Sequence, residues 1–568
     1  MSHTDLWLQD PNPFGSVALA ALAAAVPVLV FFILLAVLRV RGHLAGLITA
    51  LTALAVAVVA FGMSPALAVL SGVYGALYGL FPIGWIVVAA VFLYQITVHT
   101  GLFAVIRDSI ASVTDDRRLQ ALIIAFSFGA FLEGAAGFGT PVAISGAMLV
   151  GLGFRPLYAA SICLIANTVP VAFAALGIPV LAAAEVTGLS PEAIARVIAN
   201  QLLPLSLIVP AWLVFVMAGW RGVSEVAPAV ILSGATFAAI QWWTARQLGP
   251  YLPAILASLG SLSALVLLLR VWRPRAAWRF PEEPPATYHA GRWSRVQLVR
   301  AWTPFLLLTL LIALWSVRPV ARLLESVSVR IPFPGLHEAF IAAGAEAPAT
   351  VIFKLNWLSA AGTPIFLAAV ITLALQRVPP AESARLFAAT LRTLAFPLIT
   401  IMAVLAFAFI ANYSGMSTAM AMALTETGSL YPFLSPVLGW IGVFITGSDT
   451  SANALFGNLQ ASAAREIGMD PVLAVAANTT GGVTGKMISP QSIAVATAAV
   501  GLAGRESEIL RRTVWHSLAF LLAISVLTYL QASLLPGLAA LVPLFPAAWP
   551  LGAGGWLVLA GFGTWRRK

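Results

Sequence analysis

The chain has 568 residues, 60% of them hydrophobic and only 9% charged, with a formal net charge of +10. A soluble domain carries roughly 25% charged residues, so this surface is built to meet lipid, and a soluble enzyme is excluded. The basic excess sits between apolar runs, as orienting charges of a membrane protein do, and does not form a nucleic-acid surface.

The amino-terminal stretch MSHTDLWLQDPNPFG is acidic, unlike the basic start of a cleavable signal peptide. Apolar runs near the length that crosses about 30 Å of hydrocarbon follow at 15–38, 44–61 and 82–99. The run at 64–80 is short and fits the membrane interface instead of a span. Asp115 and Asp116 beside Arg117 and Arg118 read as a solvated polar loop. The single cysteine, Cys163, excludes an intramolecular disulfide and reads as a small buried residue in an apolar run. Further spans are expected at 203–218, 226–245 and 250–269.

Residues 270–300 hold Arg270, Arg273, Arg275, Arg279, Arg292, Arg295 and Arg300 against Glu282 and Glu283, with Pro274, Pro281, Pro284 and Pro285. This is a cytoplasmic loop between a first membrane half, 1–269, and a second, 301–535. The second half is expected to span at 301–317, 358–376, 396–412 and 513–531. An additional hydrophobic segment, 536–568, contains one more run at 548–564. Placing Arg39, Arg41, the loop, Arg505, Arg511, Arg512 and the terminal Arg566, Arg567 and Lys568 in the cytoplasm puts the amino terminus outside and the carboxyl terminus inside.

Nothing outside the membrane is large enough to hydrolyse ATP. The stretch TTGGVTGKM, 479–487, has Thr480 where a P-loop needs Gly and Met487 where it needs Ser or Thr. No H-E-x-x-H and no Cys/His metal set is present, so neither a metal nor a cofactor is expected, and transport must draw on an ion gradient.

Two apolar regions, 119–190 and 431–503, are interrupted by Gly, Pro, Asn, Thr and Ser and resemble one another. The first reads Glu133, Pro156, Ala166-Asn167-Thr168, Pro179; the second reads Asp449, Pro471, Ala477-Asn478-Thr479, Pro490. The acid-to-Pro spacings are 23 and 22 residues, and both Asn-to-Pro spacings are 12. The Pro-to-Asn spacings, 11 and 7, differ by about one helical turn. Chance alignment of apolar sequence is the competing explanation. Paired, interrupted segments in two halves point to a transporter's binding site, because irregular backbone at membrane depth persists only inside protein or along a wet cavity. The fold class is therefore all-α: a polytopic membrane transporter with two repeat halves, each with Gly/Pro-broken or re-entrant helices.

Thr140-Pro141 and Ser489-Pro490 each pair a capping hydroxyl with Pro at the first helical position, and Ser448 and Asp449 fit a third half-helix start. Converging half-helix N-termini make a site for a small anion. The ionisable residues read inside the membrane are Glu133, Asp449 and Lys486, with His516 near a span end. Burial disfavours an ionised Glu133 and suits it to carry a proton; the bland reading is a structural carboxyl. Asp449 is a second proton-coupling candidate or a plain helix cap. Lys486 either binds an anion or pairs with one of these acids. Asn167, Thr168, Ser448, Thr450, Asn478, Thr479, Ser489 and Gln491 line the same breaks as substrate-binding candidates, against the plainer role of satisfying broken backbone.

FGAFLEGAAGFGTPVAI (128–144), ANTVPVAFAALGIP (166–179), GVFITGSDTSANALF (442–456) and AANTTGGVTGKMISPQSIAVA (476–496) closely resemble the bacterial L-lactate permease family. The resemblance covers roughly 15–531; Thr140 departs from it, standing where a small apolar residue is expected, and the segment after about 535 looks additional. It implies a proton-coupled carrier in the bacterial inner membrane for L-lactate, with D-lactate and glycolate also accepted. Partners are then these 2-hydroxy monocarboxylates, protons and membrane lipid. Helix N-termini and Lys486 suit the carboxylate, and Asn and Thr side chains suit the hydroxyl. A sodium-coupled carrier of another small organic anion is the alternative, since such breaks also hold Na⁺.

Overall fold

Hydroxyl caps and prolines decide where the helices start. The computed structural model describes residues 6–38, 40–135, 137, 140–280, 293–343, 345–502 and 505–533. Arg39, Arg292, Glu282, Glu283, Pro281, Pro284, Pro285, the expected span at 548–564 and its surrounding 536–568 lie outside the described residues.

Helix α1 (Val17–Phe32) starts on Ser16, whose side chain accepts from the Leu19 N–H, and α2 (Gly42–Val59) follows. Ser64 caps α3 (Pro65–Tyr78), which continues through a turn at Gly79–Gly84 into α4 (Trp85–His99). The 64–80 run is thus the first part of one 35-residue apolar stretch, Pro65–His99. Next come α5 (Leu102–Ala111), α6 (Arg117–Gln120), a π-helical segment (Ala121–Phe128) and α7 (Gly129–Ala135). Then follow α8 (Thr140–Gly151), α9 (Pro156–Ala166), α10 (Ala174–Thr187), α11 (Pro191–Glu225), α12 (Ala227–Gln247) and α13 (Pro253–Val271).

Beyond the basic loop, Ser294 and Gln297 form a reciprocal capping box that starts α14 (Arg295–Ser316), followed by α15 (Arg318–Glu325). Among the described residues four short strands form two pairs. β1 (Trp7–Leu8) pairs in parallel with β3 (Phe340–Ile341), and β2 (Val329–Pro332) pairs antiparallel with β4 (Ile352–Leu355). The rest is helical: α16 (Gly362–Leu375), α17 (Pro380–Ser414), α18 (Met416–Thr425), α19 (Tyr431–Thr446), α20 (Asp449–Glu466), α21 (Pro471–Lys486), α22 (Pro490–Ala499) and α23 (Glu506–Ser533).

Among the described residues ten helical stretches are long and apolar enough to cross a membrane. One more is a pair bent by 65°, Pro156–Ala166 with Val171–Thr187. The expected span at 358–376 is shorter than read: a turn after β4 occupies its start, leaving the 14 residues of α16. The stretch Arg117–Ala135 is buried along its length, so protein, not lipid, surrounds Glu133.

Helices from both sides of the basic loop interleave. α2, α3 and α4 pack on α17, α1 on α18, α4 on α16 and α5 on α14. The two interrupted regions then interlock reciprocally. α8 of the first packs on α22 of the second, and α20 of the second on α10 of the first. Likewise α9 meets α23, and α21 meets α11. Exchanging the two copies leaves this pattern unchanged.

The closest packing in this unit depends on glycine. A Cβ on Gly439 of α19 would overlap the Asn478 carbonyl of α21, and one on Gly481 would overlap the Pro436 carbonyl of α19. Small residues let two membrane helices approach backbone to backbone, where dispersion replaces the absent hydrophobic drive.

The solvated loop expected at Asp115–Arg118 holds for Asp115, which is exposed, and is corrected for the other three. Asp116, Arg117 and Arg118 are buried, and Arg118 is 0% exposed. Arg118 binds Asp116 at 2.8 Å and Glu225 at 2.6 Å, while Asp116 also accepts from the Trp278 N–H at 3.0 Å. The start of the basic loop folds over these charges and ties them to the end of α11.

Candidate functional site

Both interrupted regions contribute to one buried charge cluster. Gly447 ends α19 with φ +69°, a left-handed conformation suited to a residue without Cβ. The Gln491 side chain lies against it, and Ser448 turns the chain into α20 by accepting from the Ser451 N–H at 3.2 Å. Ser448, not Asp449, is therefore the cap. Asp449 is the first residue of α20 and Thr450, half-buried, the second. Asp449 points into the protein, against Gly482 of α21, and both its carboxylate oxygens are buried without a hydrogen-bond partner.

Lys486 lies one turn beyond Gly482 and ends α21. Its ammonium meets Glu133 of α7 at 2.6 Å, with side-chain exposures of 13% and 0%. The pair joins the first copy to the second. Its charge also reaches Asp449, which takes no hydrogen bond from it, and Glu133 Oε2 has no partner. Ser489 caps α22 directly after this lysine, accepting from the Ser492 N–H at 3.2 Å and donating to the Lys486 carbonyl at 3.1 Å. The N-termini of α20 and α22, with their free N–H groups and positive dipole ends, thus flank the cluster.

The first copy's break lies between the two charged helices. α9 ends at Asn167 and Thr168, and the 3₁₀ turn Val171–Phe173 that follows packs on both α7 and α21. Asn167 Oδ1 and Thr168 Oγ1 are buried without a partner. A buried polar atom left unpaired costs about 1–3 kcal/mol, so these orphaned groups at one break are suited to a polar guest. Ala175, Leu176 and Gly177 adopt left-handed backbone before α10 resumes.

Asn478 and Thr479 sit differently. Asn478 donates to Asn453 Oδ1 at 2.9 Å and accepts from Gln460 at 3.2 Å, and Thr479 donates to Asn453 at 3.1 Å. Asn453 in turn donates to the Pro179 carbonyl of α10 at 3.0 Å. These two residues hold α20, α21 and α10 together around the cluster, with every bond met by protein.

Two features escaped the sequence. Asn453 stands four residues after Asp449, on the same helix face, and a face-by-face reading of 449–456 would have found it. Glu185 of α10 is half-buried inside the first interrupted region and satisfies the same test that singled out Glu133. A cavity of about 280 Å³ opens between α4, α5 and the flank of α8, lined by Tyr94, Phe103, Arg107, Ile144 and Met148.

Ten apolar helical stretches, two interlocked sets of broken helices and a charge cluster between them define an all-α polytopic membrane transporter. The chain belongs to the L-lactate permease family, whose model matches residues 20–535. It is 49% identical over 559 residues to the glycolate permease GlcA of Escherichia coli, covering 94% of this chain and 99% of that protein. The L-lactate permease of Salmonella typhimurium is 49% identical over 552 residues, 94% and 99% of the two chains. That of Bacillus subtilis is 49% identical over 553 residues, 92% and 98%.

Proposed function

We propose that the protein carries L-lactate, and with it D-lactate and glycolate, into the cell by proton symport across the bacterial inner membrane. In this reading the amino terminus lies outside and the basic loop inside. The observation that carries it is the Lys486–Glu133 pair at 2.6 Å with unpaired Asp449 beside it.

The coupling follows from charge balance. In the empty site the Lys486 ammonium is neutralised by Glu133. A proton on Glu133 releases the ammonium to bind the substrate carboxylate. The loaded pair, protonated Glu133 with Lys486 and lactate, carries the same net charge as the empty pair. Both states can then cross a low-dielectric barrier, whereas anion alone or proton alone leaves a buried charge unbalanced. Asp449 adds a second carboxylate for the proton. Asn167 and Thr168 offer polar atoms for the 2-hydroxyl, and Ser448, Thr450, Ser489 and Gln491 line the flanking helix starts. Lactate entering with one proton moves no net charge, so the membrane potential does not oppose uptake.

The test is uptake of labelled lactate by purified protein in liposomes with an imposed pH gradient, with and without Na⁺. Accumulation should follow the pH gradient and ignore Na⁺. Accumulation that follows Na⁺ at fixed pH sinks the proton reading in favour of the sodium-coupled alternative.

A further inference from the structure

Glu185 has no role in the site above, yet its surroundings set it apart. It lies near the C-terminal end of α10, six residues beyond Pro179 and so about 9 Å along the helix from the Asn453 bond. Asn412 of α17 donates to the adjacent Val186 carbonyl at 2.9 Å and holds this end of α10 against α17. Among the described residues Glu185 makes no ion pair. Within electrostatic reach of its carboxyl are the hydroxyls of Tyr74 and Tyr78 on α3, Tyr413 on α17 and Tyr251 before α13, and the ammonium of Lys354 on β4. Lys354 is itself held by Glu325 at 2.6 Å, and Glu192 faces the same Tyr251.

The tyrosines form a contiguous group, with ring centroids 5.0 Å apart for Tyr74–Tyr78 and 6.2 Å for Tyr74–Tyr413. Tyr74 donates to the Ile352 carbonyl of β4 at 3.1 Å, so the group lies directly under the strands. This end of the bundle is opposite the basic loop. α14 leaves that loop at Arg295, the strands follow α14, and the chain returns at Gln376, which accepts from Arg300 at 2.8 Å. A phenol both donates and accepts a hydrogen bond, so hydroxyls around a carboxylate can bring it a proton without bringing it a counter-ion.

We propose that Glu185 is a second proton-carrying residue, which takes a proton from solution at the strand-covered end and passes it inward along α10 toward Glu133 and Asp449. The carboxylate gains one proton and loses it again on each cycle, so the balance of one proton per anion is unchanged. The assignment rests on the proton-symport reading, and it separates two duties: Lys486 holds the anion and Glu133 and Asp449 the coupled proton, while Glu185 supplies that proton from one side only.

The experiment compares wild-type protein, Glu185→Gln, Glu185→Asp and Lys354→Met in proteoliposomes. Two fluxes are read: uptake driven by a pH gradient across a range of external pH, and exchange of labelled for unlabelled lactate at equal pH. Glu185→Gln should lose at least tenfold of the gradient-driven uptake and most of its dependence on external pH, while exchange persists within about twofold. Glu185→Asp should restore the pH dependence. Lys354→Met removes a positive charge near the carboxylate, so the external pH giving half-maximal uptake should rise. This arm reads the role even if Glu185→Gln fails to reach the membrane. Gradient-driven uptake in wild type with unchanged pH profiles in Glu185→Gln or Lys354→Met overturns the Glu185 assignment alone. A wild-type protein that exchanges lactate but ignores the gradient overturns proton symport, and Glu185 with it.

Discussion

Replacing Lys486 with Met keeps most of the bulk of the side chain and removes its charge. Two consequences follow from the structure. A charged hydrogen bond to the substrate carboxylate is worth about 1.5–3 kcal/mol, and about 1.4 kcal/mol is a factor of ten. Apparent affinity for lactate should therefore fall by roughly one to two orders of magnitude. Glu133, 0% exposed and bonded to this ammonium at 2.6 Å, is also left buried without a counter-ion, which costs about 3–5 kcal/mol when one partner of a buried pair is removed. The double variant Lys486→Met/Glu133→Gln removes both charges and should recover most of the lost melting temperature, yet recover none of the affinity. The assay is saturation of labelled lactate exchange in proteoliposomes, with detergent-solubilised melting as the stability reading. Saturation in Lys486→Met that matches wild type, in protein shown to reach the membrane, would refute the anion-binding role. Lys486→Arg should also be impaired, because a planar fork does not replace a compact ammonium.

Glu133→Gln mimics the permanently protonated acid, so uphill uptake driven by a pH gradient should vanish while lactate exchange survives; persistent pH-driven accumulation would pass the coupling role to Asp449, testable with Asp449→Asn. Gly481→Val should lower the melting temperature, since overpacking typically costs about 1–3 kcal/mol and the new Cβ meets the Pro436 carbonyl. Gly42→Ala, whose methyl would lie 3.8 Å from Thr400, should melt like wild type and controls for the substitution. Arg118→Met should destabilise by about 3–5 kcal/mol, because it strands buried Asp116; a melt within a degree of wild type would show that the charges are not buried.

The broken helices were legible because their start signals are local. Ser489-Pro490 is a cap and a first-turn proline wherever it occurs, and the structure starts α22 there. Glu133, Asp449 and Lys486 were legible because a charge in an apolar run is conspicuous. What could not be read was burial supplied from afar. Asp116 and Arg118 lie in a polar stretch that looks solvated until Trp278, 162 residues away, closes over it. Asn478 and Thr479 sit in the matching position to Asn167 and Thr168, yet α21 continues unbroken through them while α9 stops. Pro170 follows the first pair and cannot continue the helical ladder, where the second pair has Gly481; Asn453 then binds the second pair's side chains. The β2–β4 pair was invisible because four-residue strands leave too short a pattern for alternation to register.

The Glu133–Lys486 bond spans 353 residues of chain. Synthesis at about 5–20 residues per second brings the lysine out roughly 20–70 s after the glutamate. During that interval the first set of broken helices is already in the bilayer while its docking partners are still unmade, and the Pro179 carbonyl lacks the Asn453 amide that will cover it. Neither set can mature alone, so the nascent first half must be sheltered from lipid by the insertion machinery or by its own scaffold helices α1–α5. A chain that stops short of Lys486 therefore leaves Glu133 without its base.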